Sequence, residues 1–139
     1  MKDKDRPDLN DFAHRYTTAW CSQDPASVAA FYSLNGSLTI NDGAPSVGRI
    51  AIGEAARSFM EAFPDLQVIM NDVVVQGEHA VYRWTLTGRN SGPGGSGRPV
   101  RISGFEEWSV DGDGLIAESK GHFDGADYRR QLDPGMAES

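Results

Sequence analysis

Residues 100–110 read VRISGFEEWSV, and this stretch decides the fold class of the chain. It is rich in β-branched and aromatic residues, and strand-like runs precede it at 80–88 and follow it at 115–123. The segments between the runs are turn sequences, a stretch of mostly Gly, Ser and Pro at 90–99 and the sequence DGDG at 111–114. Turn residues between strand-like runs predict an antiparallel meander of three strands.

Two adjacent carboxylates stand inside the middle strand, Glu106 and Glu107, directly before Trp108. Strand periodicity sends neighbouring side chains to opposite faces of a sheet. Glu106 shares its face with Trp108 and Glu107 shares its face with Phe105, so alternation alone leaves open which carboxylate lies inside. Both could pair with Arg or Lys at a sheet edge or a dimer rim. Alternatively, one is a pocket carboxyl with a raised pKa that donates a hydrogen bond to a ligand oxygen.

The rest of the chain adds helices and further strands. The elements predicted from apolar periodicity, caps and turn residues are, in chain order, helices from residue 9, over 25–32 and over 49–63, strands over 37–42, 66–75, 80–88, 100–110 and 115–123, and a last helix over 125–132. Helices on one side of a mostly antiparallel sheet define an α+β fold. A sheet that wraps a long amphipathic helix leaves a concave pocket at its open end, which is a usual place for a small apolar ligand.

Composition limits the class of protein further. A chain of 139 residues forms one domain, here 1–139 with its ordered core at about 9–132. The net charge of −7, with 13 scattered basic residues, argues against nucleic acid and anionic membranes as partners. Neither a signal peptide nor a membrane span is predicted, so we expect a cytoplasmic protein. The three His residues lack metal-ligand spacing, so no metal is expected. The Gly-rich run at 91–97 lacks the Lys and the helix of a phosphate-binding loop.

Three side chains are candidates for chemistry in the predicted pocket: Glu106, Asp42 and Tyr16. Asp42 ends the predicted first strand, where an acid at the mouth of an apolar face suits a general base, although Asp-Gly is also a common turn pair. Tyr16 lies on the inward stripe of the first helix, where its hydroxyl either reaches the pocket or bonds to a backbone partner. The ligand pocket is expected to be lined by Trp20, Ile40, Phe59, Trp84, Trp108 and His122. Alternation along the last strand also allows His122 to face solvent or a subunit interface.

Several short segments together carry a family resemblance that each alone would not. They are Gly48-Arg49, AFPDL at 62–66, WTLTG at 84–88, DGLIAE at 113–118, Phe123-Asp124 and RQL at 130–132. In this order and spacing, from about Phe12 to Leu132, they resemble the nuclear transport factor 2-like superfamily, and within it the SnoaL-like polyketide cyclase group. The resemblance implies a cone-shaped, curved and mostly antiparallel sheet wrapped around helices, with an internal apolar pocket, usually in a homodimer.

The same resemblance assigns roles to individual residues. Isomerases of this superfamily carry a Tyr after an Arg on the first helix, and Arg15-Tyr16 matches that pair. Their general-base Asp corresponds to Asp42 if two residues are inserted. Their second acid lies in a motif to which residues 106–108 are the nearest match, which makes Glu106 the inward carboxyl. Cyclases and epoxide hydrolases instead place an Asp three residues before the Asp that starts the last helix, and here that position is Gly121.

These observations lead to two expectations of function. In the first, the protein is an isomerase or cyclase that needs no cofactor and transfers protons on a hydrophobic carbonyl compound. Asp42 is then the base, and Tyr16 and a neutral Glu106 stabilise the developing oxyanion. In the second, it binds a small hydrophobic ligand without catalysis or serves as a dimeric interaction protein. Gly121 stands where the resemblance implies a catalytic Asp, so it makes the first expectation weaker and the second stronger.

Overall fold

A computed structural model describes residues 9–77 and 79–133. Its elements in chain order are α1 (Leu9–Cys21), α2 (Pro25–Ala29), β1 (Tyr32–Ile40), β2 (Ser46–Val47), α3 (Arg49–Ala62), β3 (Gln67–Gln76), β4 (His79–Arg89), β5 (Pro99–Val110), β6 (Ile116–Phe123) and α4 (Gly125–Leu132). The terminal segments of the predicted single domain, 1–8 and 134–139, lie outside the described residues.

The described strands form one six-stranded mixed sheet in the order β2-β1-β6-β5-β4-β3. All neighbouring pairs are antiparallel except β1 and β6, which run parallel. The predicted meander is confirmed, because β4, β5 and β6 are consecutive antiparallel neighbours. The β1–β6 pair joins the first strand of the chain to the last and so places the N-terminal half against the meander. The fold is α+β, as predicted.

The core lies between the helices and one face of this sheet. The amphipathic helix α1 packs on β3, while α2 packs on α3. The buried side of α1 carries Phe12, Ala13, Tyr16, Ala19 and Trp20. On β5 the inward positions alternate with exposed ones, and the inward side chains at 102, 106 and 108 are all buried. Alternation therefore puts a carboxylate among apolar side chains.

The structure differs from the prediction at the first strand. β1 begins at Tyr32 rather than at residue 37, and Asn35-Gly36 lies inside the strand instead of preceding it. The pairing register with β6 shifts between Tyr32 and Ser37, so the turn-like dipeptide forms an irregularity in a continuous strand. The sequence of β1 alone does not reveal this irregularity, because the bulge depends on pairing with the partner strand.

Two smaller differences have similar causes. The segment predicted as a loop at 43–48 contains the edge strand β2, which is only two residues long and has no detectable periodicity. Alternation along the strand predicted over 115–123 would put Ile116 on the same face as Glu118 and Lys120, but Ile116 is fully buried. The register shift opposite Val110 accounts for this, since it reverses the alternation at the start of β6.

The Gly-rich segment is the connection between β4 and β5, as predicted, and it covers the end of α3. The Gly92 backbone N–H donates to the Ala62 carbonyl at 3.2 Å, and the Asn90 side-chain Nδ2 donates to the same oxygen at 3.3 Å. The last carbonyls of a helix lack partners within the helix. The loop therefore supplies hydrogen-bond donors to the end of α3, and its role is structural.

Gly104 creates a flat place on β5 for the indole of Trp84. The two residues are paired across β4 and β5. A Cβ atom at position 104 would lie 2.7 Å from Cζ2 of Trp84 and 2.2 Å from the backbone oxygen of His122. Any side chain there would push the indole away or distort the β5–β6 pairing.

Gly104→Ala is therefore expected to lower the free energy of unfolding by about 1–3 kcal/mol, the usual cost of overpacking. Gly112→Ala is the matched control, because no atom lies within 4 Å of a Cβ at that turn position. Urea denaturation of both variants measures the difference. Equal stability of the two variants would contradict the tight Gly104–Trp84 packing.

Candidate active site

Glu106 is the central residue of the candidate site. It lies on the inward face of β5, and only 7% of its surface is exposed. Its cross-strand partners are Tyr82 on β4 and Gly121 on β6. The neighbouring Glu107 points to the opposite face, where its side chain is 54% exposed and accepts a hydrogen bond from His122 Nε2 at 2.9 Å. The structure thus decides between the two carboxylates in favour of Glu106.

One oxygen of the buried carboxyl receives nearly all of its hydrogen bonds. Oε1 accepts from Trp108 Nε1 at 2.8 Å, from Ser119 Oγ at 2.8 Å and from the Tyr16 hydroxyl at 3.0 Å. Oε2 has a single longer contact, 3.4 Å from the Tyr16 hydroxyl. When Glu106 is protonated, the proton therefore belongs on Oε2, the oxygen without close donors.

Burial raises the pKa of Glu106 above its usual value, and the hydrogen bonds from Trp108, Ser119 and Tyr16 oppose that rise. Burial is the larger effect, because removing a carboxylate from water disfavours its charged form. Such a carboxyl exchanges its proton closer to neutral pH than an exposed one. This is the property that a general acid or base requires.

Tyr16 and Tyr32 connect the carboxyl to the helices. Both are completely buried, and their hydroxyls lie 2.8 Å apart. Since the Tyr16 hydroxyl donates its one proton to Glu106, it accepts the proton of Tyr32. Burial, followed by the negative charge of Glu106, raises the pKa of both hydroxyls well above the usual value. The two tyrosines therefore remain neutral hydrogen-bond donors.

A cavity lies over Glu106 on the concave face of the sheet. Its volume is about 60 Å³, which is well above the roughly 10–15 Å³ that one water molecule requires. It is smaller than the roughly 300–1,000 Å³ typical of sites for drug-sized ligands. The cavity is lined by Trp20, Leu38, Ile40, Phe59, Val68, Tyr82, Trp84, Leu86, Ile102, Glu106, Gly121 and Phe123.

Four of the side chains predicted to line a pocket do so, namely Trp20, Ile40, Phe59 and Trp84. Trp108 is placed differently. It is 1% exposed and lies beneath the cavity, where its indole N–H bonds to Glu106.

His122 is also placed differently from the prediction. It is on the outer face of the sheet, where its ring stacks on Phe105 with centroids 4.8 Å apart. The alternation of β6 explains this position, because His122 is one residue from the cavity-facing Gly121.

Asp42 does not join the other candidates. β1 ends at Ile40, two residues earlier than predicted, and Asp42 is exposed in the turn that follows. The side chain of Asn41 ties this turn to β6 by accepting from the Phe123 backbone N–H at 3.0 Å. Of the three candidate residues, the structure brings together Glu106 and Tyr16 and leaves Asp42 outside the cavity.

Two partners of the carboxyl network were missed by the sequence analysis. Ser119 was not among the candidate residues, and it proves to be fully buried with its hydroxyl on Glu106. Tyr32 was placed at the end of a helix, whereas it begins β1. Ser119 is paired with Trp108, two residues along β5 from Glu106. The available signal was that a buried glutamate requires a polar partner nearby.

Two other features, a metal-binding cluster and a membrane-spanning helix, can be checked in the described parts of the chain. Within residues 9–77 and 79–133, no group of three or more His, Cys, Asp or Glu side chains is arranged to hold a metal ion. None of the helices described there is long and apolar enough to cross a membrane.

An α+β fold with a buried carboxyl beneath a small apolar cavity defines a small-molecule pocket protein, and sequence comparison identifies the family. The model of the SnoaL-like polyketide cyclase family matches residues 10–132. The chain therefore belongs to that family. No curated protein matches it significantly.

Solved structures share the fold at low sequence identity. A hypothetical protein with a ketosteroid isomerase-like fold from Catenulispora acidiphila, in complex with trimethylamine, is 15% identical with a TM-score of 0.77, over 91% of this chain and 93% of the other. A SnoaL-like protein from Jannaschia is 17% identical with a TM-score of 0.74, over 94% and 97%. TsrD from Streptomyces laurentii is 24% identical with a TM-score of 0.76, over 89% and 93%. These likenesses establish the fold and not a reaction.

The raised pKa of Glu106 predicts how stability depends on pH. Between the unfolded and the folded pKa, the native state binds the extra proton, so the free energy of unfolding falls as pH rises through that interval. In Glu106→Gln, the amide oxygen replaces Oε1 as acceptor and no group titrates. The variant should gain stability relative to the wild type as pH rises from 4 through the raised pKa.

Urea denaturation between pH 4 and pH 8 measures this difference. Glu107→Gln is the control, because it removes the adjacent but exposed carboxylate. A stability difference between Glu106→Gln and wild type that does not change with pH would show that burial leaves the Glu106 pKa unaltered.

Proposed function

We propose that this protein binds a small hydrophobic carbonyl compound in the cavity and that Glu106 transfers a proton to and from it. The observation that carries the proposal is the asymmetry of the Glu106 carboxyl. Oε1 is held by three donors from the protein, while Oε2 has one contact of 3.4 Å. The carboxyl lines the cavity, and its less occupied oxygen is available to a ligand.

The proposed reaction is a proton shift next to a carbonyl group. Ionised Oε2 removes a proton from the carbon beside the carbonyl, the C–H electron pair forms the enolate, and the protonated carboxyl then returns the proton to the same or a different carbon. The number of atoms and electrons is unchanged, and no cofactor is required. A carboxyl with a raised pKa is a stronger base than an exposed one, which suits this step.

Glu106 takes over the part that the sequence analysis gave to Asp42. Asp42 is exposed in a turn outside the cavity. Tyr16 is occupied by Glu106 and Tyr32, so in this proposal it holds the carboxyl in position. The role of Glu106 thus changes from a neutral hydrogen-bond donor to the acid–base group itself.

Binding without catalysis is the second candidate, and one observation favours it. Glu106 is paired with Gly121, where the related cyclases and epoxide hydrolases have an acid. Among the described residues that line the cavity, Glu106 is the one carboxylate. If a single carboxyl is insufficient for turnover, the site still binds a small apolar compound through Oε2.

Hydrogen–deuterium exchange at the carbon beside the carbonyl of cyclohexanone distinguishes the two candidates. Wild-type protein in D₂O should accelerate the exchange followed by proton NMR, and Glu106→Gln should lower that acceleration by roughly 10²–10⁴-fold, the usual contribution of a general base. Glu107→Gln serves as the control on the opposite face. Binding of the ketone without faster exchange would refute catalysis and would support the second candidate, binding without catalysis.

Gly121→Leu should block the cavity without breaking the carboxyl network. A Cβ at this position makes ordinary contacts of 3.6 Å with the Thr39 carbonyl and 3.8 Å with Cγ of Glu106, and the larger side chain extends over Glu106. If the overpacking cost of about 1–3 kcal/mol falls on ligand binding, affinity drops by roughly 5- to 150-fold. Titration of the ketone followed by NMR checks this, and unchanged affinity would place the binding site elsewhere.

A further inference from the structure

The cavity contains a second polar group that the proposed proton transfer leaves unused. The indole Nε1 of Trp84 is buried and has no hydrogen-bond partner within the described residues. Trp84 itself is 9% exposed and lines the cavity together with Glu106. Buried polar groups in folded proteins nearly always have a partner, so an unpaired donor in a cavity wall calls for an explanation.

The other polar group of the cavity wall is already committed. The Tyr82 hydroxyl makes a hydrogen bond with Oγ1 of Thr17 on α1. Apart from Glu106, Trp84 and Tyr82, the described residues that line the cavity are apolar or glycine. The side-chain polar atoms of this described lining that lack a close protein partner are therefore Oε2 of Glu106, an acceptor or donor, and Nε1 of Trp84, a donor.

The sheet fixes the spacing of these two groups. Glu106 pairs with Tyr82, and Trp84 pairs with Gly104, so Trp84 and Glu106 are diagonal neighbours on one face of the β4–β5 pair. The Cα atoms of such neighbours are about 7–8 Å apart. Each polar atom binds a ligand atom at about 3 Å, and the two side chains start from neighbouring positions on one face, so one small ligand can contact both.

Gly104 holds the donor in this place. The Cζ2 atom of Trp84, which lies on the same edge of the indole as Nε1, is 2.7 Å from the position that a Gly104 Cβ would take. The edge of the indole that carries the donor thus lies against β5, two residues from Glu106 along that strand. Phe123 packs against the indole with ring centroids 6.1 Å apart and restrains it further.

We propose that the Trp84 indole N–H binds the carbonyl oxygen of the ligand and stabilises the oxyanion that forms there. This inference rests on the proposed function and adds the ligand class: an apolar ketone or enone whose carbonyl oxygen meets Trp84 while the adjacent C–H faces Oε2 of Glu106. The proton removed by Glu106 leaves its electron pair on the enolate, whose oxygen the indole N–H then stabilises.

The test uses cyclohexanone as the probe and the three tryptophan indole N–H signals as reporters. Trp→Phe variants assign the signals in ¹H–¹⁵N spectra of the wild-type protein. Saturation with cyclohexanone should move the Trp84 indole proton downfield, as expected for a new hydrogen bond. The same shift should persist in Glu106→Gln, because that variant keeps the donor and loses only the base.

Trp84→Phe supplies the kinetic arm of the test. Loss of one oxyanion donor lowers the turnover of enzymes by roughly 10²–10³-fold, and we expect a loss of this order in the deuterium exchange rate at saturation. Trp20→Phe makes the same change in the wall of the same cavity. Because the Trp20 indole also interacts with the Tyr16 hydroxyl, this variant reports the cost of enlarging the cavity together with that of perturbing Tyr16. The Trp84 variant should lose at least tenfold more of the exchange rate than the Trp20 variant.

The outcomes separate the two proposals. An unmoved Trp84 signal in the ketone-saturated wild type overturns the role of Trp84, even where Glu106→Gln abolishes exchange. A moved signal without catalysed exchange supports Trp84 as the ligand's hydrogen-bond donor and refutes proton transfer by Glu106. Absence of any ketone binding overturns both. The wild-type spectra decide the matter even if Trp84→Phe does not fold.

Discussion

The burial of one carboxyl group governs how this molecule is assembled. Taking Glu106 out of water is costly unless hydrogen bonds replace its hydration. The three close donors come from α1, from β6 and from β5 itself. The carboxyl therefore fixes the position of the first helix on the meander as well as the protonation chemistry of the site. Removing a donor would leave an unsatisfied buried acid, which is more damaging than losing one surface contact.

The meander was predictable because its information is local. Runs of strand residues separated by turn sequences determine β4, β5 and β6 with boundaries within one or two residues of those observed. The inward position of Glu106 was less accessible, because strand alternation treats two adjacent glutamates alike. Resemblance to the family favoured Glu106, and the structure confirms its burial through hydrogen bonds from residues 13 and 90 positions away in sequence.

The N-terminal half was harder to predict because its strand is shaped by a distant partner. β1 contains Asn35-Gly36, which is typical of a turn, yet it pairs in parallel with the last strand of the chain. The end of that strand determines whether Asp42 reaches the cavity, and no local pattern places that end. An error of two residues at the end of a strand thus removed the predicted base from the site.

Membership of the SnoaL-like family does not by itself decide the reaction, since one fold supports many functions. In this chain, polar groups of two kinds share the cavity. In the part of the chain that the structure describes, one face of the β4–β5 pair carries a carboxyl oxygen with a single 3.4 Å contact and an indole donor without a hydrogen-bond partner. A glycine, Gly121, stands opposite the carboxyl and leaves room above it. A second acid at position 121 would have competed for that space and would have raised the cost of ionising Glu106 through like-charge repulsion. A single carboxyl with a nearby neutral donor avoids that repulsion, because the donor binds the developing negative charge while the carboxyl carries only the proton.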